Sequence, residues 1–128
     1  MRVVPALVIL QEDFNKISAL LAIAKPQIVD LLEEELDRAQ VVHHDQLPKD
    51  IVTMNSIVTF IDLDSKKQDE VTLVFPHDAD IEKNKISILA PIGAALIGLR
   101  TGQTIDWPVS SEKTRRISVT NVRQPNLI

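Results

Sequence analysis

From Glu12 to Val42 the apolar residues recur at helical spacing. Phe14, Ile17, Leu21 and Ala24 step by three, four and three, which predicts a helix with one partner-facing seam. Glu12 and Asp13 mark its start, since acids favour a helix N-terminus and Asp13 can cap it. Lys25-Pro26 ends it, because the residue before a proline is pushed out of the helical region. Pro26 also suits the opening of a second helix, with Ile28, Leu32, Leu36 and Ala39 as its stripe and Leu31 beside them. On that helix Glu34 and Arg38 are spaced i, i+4 in the favourable order, a pairing of ~0.2–0.5 kcal/mol. Two helices of about 13 residues each predict a short antiparallel hairpin with arms ~20 Å long. The amphipathic stripe leaves open whether the hairpin projects or packs.

Residues 2–10, ahead of the helices, are extended and apolar, broken at Pro5, and read as a short strand or lead-in. Residues 43–49 form a polar connector, and the period then changes to two. Ile51, Thr53, Asn55, Ile57, Thr59 and Ile61 alternate with Val52, Met54, Ser56, Val58 and Phe60. Both sides are partly apolar, as in a strand covered on both faces or bent midway. A turn at 64–69, a strand at 70–75 and a charged, glycine-free loop at 77–85 follow. Residues 86–89 read as a strand, Pro91 as a first helical position and residues 94–97 as a short apolar helix. Gly98 or Gly102 can supply the left-handed turn that ends it. Residues 103–109 and 115–122 read as the last two strands. Residues 86–108 hold all the glycines and the only tryptophan, so we expect a packed strand–helix–strand unit with the other strands laid against it. Two helices followed by strands and one short helix predict an α+β fold with an antiparallel sheet. The expected division is residues 1–46, the lead-in and helical hairpin, and residues 47–128, the sheet domain.

Hydrophobic content of 45 % is ample for a core, yet aromatic content of 3 % makes that core mainly Ile, Val and Leu. Tyrosine is absent, which removes a common stacking residue for single-stranded nucleic acid. Asp30, Glu33, Glu34, Glu35 and Asp37 against Arg38 account for the whole net charge of −4. The balanced remainder argues against a broad basic footprint, so no sequence-specific contact with nucleic acid is expected. Without cysteine there is no disulfide, thiolate zinc site or cysteine nucleophile, in keeping with a reducing cytoplasm. No apolar run approaches the ~20 residues that span a bilayer, and the N-terminal apolar run lacks the features of a signal peptide.

The glycines exclude more. Gly93, Gly98 and Gly102 form neither a dinucleotide fingerprint nor a phosphate loop, and no G-x-S-x-G elbow is present. His43 and His44, adjacent in sequence, are poor joint metal ligands. His77 with Asp78 and Asp80 reads as a solvated loop, and residues 33–35 as a solvated helix face. No catalytic residue, metal or cofactor is expected.

Ser87, Pro91, Gly93, Ala95, Leu96, Gly98 and Gly102 together resemble the motif of the Gre transcript-cleavage factors' C-terminal domain. Residues 36–42, 48–60 and 72–76, with Gln124-Pro125, resemble the bacterial regulator of nucleoside diphosphate kinase family. The resemblance implies an FKBP-like sheet domain with one short helix and a partner, bacterial RNA polymerase, bound near its secondary channel in competition with Gre-type elongation factors. It implies docking through Leu89, Ala90, Pro91 and Ile92. The acidic helix face, Glu33, Glu34 and Asp37, is the candidate for contact with a basic channel wall. Gre factors hold a magnesium ion with acids at the tip of a long coiled coil. Here the helix break offers Lys25, Pro26 and Gln27, with Asp30 as the nearest acid, so transcript cleavage is not expected. Ser110-Ser111 stands where many relatives have a glycine pair, and Trp107 is expected in the core rather than as an interface anchor. A monomer is expected. The rival readings are a peptidyl-prolyl isomerase, for which three phenylalanines and one tryptophan make a poor pocket, and an adaptor for another protein.

Overall fold

The structure, a computed structural model, describes residues 7–24, 26–108 and 114–125; the side chains of Gln27, Ile28, Leu31, Pro91, Trp107 and Pro108 also lie outside that description. The expectations for residues 2–6, Lys25, the Trp107 side chain and Ser110-Ser111 therefore fall outside the described residues.

Strand β1 (Val8–Leu10) runs straight into helix α1 (Gln11–Leu20). Helix α2 (Pro26–Asp37) opens at Pro26, as its fixed φ predicts, and leads to β2 (Gln40–Val42). β1 and β2 pair in parallel, Val8 opposite Gln40 and Leu10 opposite Val42. A parallel pair requires a crossover between its strands. Helices α1 and α2 make that crossover. They lie on the sheet rather than away from it: Ile17, Leu32 and Leu36 belong to one apolar core with Val58, Leu73 and Ile117.

Strands β3 (Ile57–Asp62), β4 (Gln68–Val74), β5 (Lys85–Ser87), β6 (Thr104–Pro108) and β7 (Thr114–Arg123) form one sheet in the order β5-β4-β3-β7-β6. Three of its pairs are antiparallel, as expected; β4 and β5 are parallel, which corrects the all-antiparallel reading. Helix α3 (Pro91–Leu96) links β5 and β6, and these are the two edges of the sheet. The strand–helix–strand unit is thus a frame. The other strands fill it rather than lie against it.

The long alternating run ends early at its front. Ile51, Val52, Thr53 and Met54 are all buried; Ile51 bridges Arg100 and Val52 N–H donates to Leu99 O at 2.8 Å, and the chain then turns at Met54 and Asn55 instead of continuing as a strand. Thr53 N–H donates to Ser56 Oγ at 2.9 Å, and Asn55 takes a left-handed φ of 67°. The strand proper begins two residues later. The glycine-free loop after β4 turns through two single 3₁₀ turns, Pro76–Asp78 and Ile81–Lys83, with Asn84 in the left-handed region at φ 56°. Asn tolerates that conformation because its short polar side chain bonds locally.

Candidate partner interface

The turn between β5 and α3 is fixed by one residue. Ser87 Oγ accepts from Leu89 N–H at 3.0 Å, and the Ser87 carbonyl accepts from Ala90 N–H at 2.9 Å. Ala90 is extended, at φ −76° and ψ 148°, the conformation that a following proline imposes, and Pro91 begins the helix without a hydrogen to lose. Ala90 O then accepts from Ala94 N–H at 2.9 Å. The helix start rests on the Ser87 carbonyl so closely that a Cβ on Gly93 would stand 2.2 Å from that oxygen. Leu89 and Ile92 are half-buried against the core, and Ala90 is half-exposed. Three of the four predicted docking residues thus sit on a backbone with little freedom, part of each side chain reaching solvent. The Pro91 side chain lies outside the described residues.

The acidic helix splits into two faces. Glu33, Glu34 and Asp37 are exposed, and Glu35 turns inward to 4 % exposure. Glu35 receives a hydrogen bond from Arg38 at 2.5 Å, an i, i+3 pair that the sequence did not single out. Helix α2 contacts α3, which places the acidic helix beside the element that the Ser87–Ile92 turn opens. At the other end of the crossover, residues 21–24 carry no carboxylate, and Ile23 is 77 % exposed there. Asp30 is exposed one turn into α2.

Two carboxylates, Asp13 and Asp62, are structural. Asp13 does not cap α1. Its side chain is 7 % exposed, and its Oδ2 accepts from Met54 N–H at 3.0 Å, tying α1 to the buried turn before β3. Burial pushes its pKa from 3.8 up to about 6, with Glu12 adding to the rise and the Met54 hydrogen bond and Lys16 opposing it. Asp62 is held below the usual carboxylate range by the Arg115 guanidinium, which donates to it at 2.9 Å, and by the N–H groups of Ser65 and Asp64. Nothing in the local pattern marks Asp13, since its donor is 41 residues away. Asp62 had a local signal: an aspartate two residues before a turn accepts the N–H groups of that turn. Among the described residues no group of three or more His, Asp or Glu is placed to hold a metal ion. His77 Nε2 lies 3.2 Å from Asp78 instead.

The family described as transcription elongation factor, GreA/GreB, C-term, matches residues 47–124. The regulator of nucleoside diphosphate kinase of Escherichia coli K12 is 42 % identical over 106 residues, covering 80 % of this chain and 78 % of that protein. Transcription elongation factor GreA of Rhodospirillum rubrum is 37 % identical over 75 residues, 59 % of this chain and 48 % of its own length. Among solved structures, the prokaryotic elongation factor GreA/GreB from Nitrosomonas europaea matches with a TM-score of 0.76 at 39 % identity, over 94 % of this chain and 100 % of that one. Thermus aquaticus Gfh1, at 20 % identity and a TM-score of 0.53, over 89 % of this chain and 84 % of its own, shares the fold. The motif around Ser87, Pro91 and the glycines, the sheet it frames and these similarities agree: the chain belongs to the GreA/GreB C-terminal domain family, alongside the regulators of nucleoside diphosphate kinase.

Proposed function

We propose that the chain is a non-catalytic transcription regulator that binds bacterial RNA polymerase near its secondary channel and competes there with Gre-type elongation factors. The observation that carries the reading is the Ser87–Ile92 turn. Its backbone is ordered by the Ser87 hydrogen bonds before any partner arrives, so docking there costs little conformational entropy. The acidic face of α2 stands on a helix in contact with α3, where it can meet a basic wall. The relatives named above are regulators and elongation factors, and none of those names is that of an enzyme. Residues 21–24, at the turn between the helices, offer no carboxylate to a catalytic magnesium ion.

The test is binding to purified polymerase core, with a Gre factor as competitor and a Pro91→Asp variant alongside. Aspartate suits the first turn of a helix, so the variant should fold. Saturable binding that the competitor displaces and the variant loses is expected. No binding at micromolar concentration would remove the reading. Charge reversal at Glu33, Glu34 and Asp37 together should weaken binding and change its salt dependence; unchanged affinity would leave the acidic face without a role.

A further inference from the structure

We infer that two copies of this chain associate through Ile81 of each, seated in the groove between α1 and the end of β4 of the other. Ile81 is 84 % exposed, the most exposed large apolar side chain among the described residues. It is also firmly presented. Asp80 Oδ1 accepts from Glu82 N–H at 3.1 Å, Asp80 O accepts from Lys83 N–H at 3.1 Å, and Ile81 O accepts from Asn84 N–H at 3.1 Å. Asp80 further exchanges hydrogen bonds with Lys85, N–H to O at 3.0 and 2.9 Å. Those bonds fix the backbone that presents Ile81, so little backbone entropy is lost when the side chain is covered.

The groove has the complementary chemistry. It measures about 450 Å³ and is lined by Lys16, Ala19, Leu20, Asn55, Phe75 and His77. Ala19, Leu20 and the Phe75 ring give it an apolar floor. The Lys16 ammonium stands 5.7 Å from the Phe75 ring centre, and the His77 ring lies parallel to that of Phe75 with centres 6.4 Å apart. Lys16 and His77 have their own exposed partners, Glu12 and Asp78, each at 3.2 Å. Exposed pairs of that kind are weak and exchange readily. The projecting isoleucine is flanked by Asp80 and Glu82, so an apolar side chain between two carboxylates faces an apolar floor between an ammonium and an imidazole.

The occupant is a second copy because one stretch of chain carries both halves of the contact. Phe75 and His77 line the groove, and Ile81 follows four residues after His77. A single two-fold axis near this stretch can place each isoleucine in the other copy's groove, a self-complementary and closed arrangement. Two such contacts make a small interface, so the association is weak and concentration-dependent. The proposal departs from the expected monomer, and it does not rest on polymerase binding.

Sedimentation equilibrium of the full chain between about 10 μM and about 1 mM tests it. A reversible monomer–dimer equilibrium is expected. Ile81→Asp and Ala19→Glu alter exposed positions, so both variants should keep the wild-type circular dichroism and thermal midpoint. Each should weaken dimerisation by at least about tenfold, because the two-fold removes both anchoring contacts at once. An equimolar mixture of the two should recover part of the association, because one intact isoleucine then meets one intact groove. A wild-type chain that stays monomeric throughout, a dimer indifferent to Ile81→Asp, or a mixture with no recovery would overturn the proposal.

Discussion

Asp13 shows how far one side chain can depart from its local reading. Two residues into α1 it has the position of a helix-start acid, and the sequence pattern reads it so. In the fold it is buried, and its acceptor satisfies a backbone N–H from another part of the chain. Ionising a buried carboxylate is costly, which is why its pKa lies near 6 in place of 3.8. The raised value sets the sign of its pH dependence. Its contribution to stability is complete below about pH 3.8 and is lost as pH rises through about 6, a change of order 3 kcal/mol. Asp13→Asn keeps the acceptor and removes the titration. Urea unfolding between pH 4 and 8 should show the variant gaining on the wild type up to about pH 6 and holding a constant lead above it. Asp62 works in the opposite sense: with its carboxyl held low by Arg115, its contribution is present above the ordinary carboxylate pKa and lost as pH falls through the lowered one. The exposed acids Glu33, Glu34 and Asp37 were legible because a charged helix face follows from periodicity alone. The inward turn of Glu35 was not, since it depends on which side of α2 meets the sheet domain.

At the scale of elements, sequence signals worked where the backbone itself was constrained. Pro26 and Pro91 opened α2 and α3, and Gly98 and Gly102 took left-handed φ values of 80° and 91°. The third glycine had a different reason to be there. Gly93 sits in contact with the Ser87 carbonyl, and nothing in its neighbours announces that approach. Gly93→Ala should therefore cost about 3 kcal/mol or more, since backbone must move to admit the methyl group. Gly102→Ala meets no atom within 4 Å and should cost only the backbone strain, about 1–2 kcal/mol. Chemical denaturation of the two variants would separate close approach from conformation. Period two across residues 51–61 misled for a related reason. Ile51, Val52 and Met54 are apolar because they are buried, the first in a bridge to Arg100 ahead of the turn, and Asn55 supplied the bend that a strand reading had no cause to place.

Across the whole molecule, the helices and the sheet share one core, which the sequence could not decide because an amphipathic stripe fits any apolar neighbour. Leu32 is fully buried there, and Leu32→Ala should cost about 3 kcal/mol. The loss should appear in a single transition: the helical far-ultraviolet signal and the heat absorbed on unfolding should shift together. A separate early loss of helix would show that the crossover folds on its own terms. Sheet order was equally beyond local pattern, since β3 and β7 pair across some sixty residues of chain while β5 and β6, close in sequence, end at opposite edges. The Ser87–Ile92 turn needs only a serine, a proline and a glycine in fixed spacing, so its backbone was legible before the sheet around it.

The parallel pairing of β1 with β2 has an architectural consequence. Residues 8–10 and 40–42 lie side by side, so everything between them departs from and returns to one place on the domain. The helical segment is mounted like a cartridge. Residues inserted at 21–24 would lengthen its reach while both mounting strands, and the turn at Ser87–Ile92, stayed where they are. How far such a protein extends and where it attaches are then separate variables, and a lineage built on this frame can alter the first without renegotiating the second.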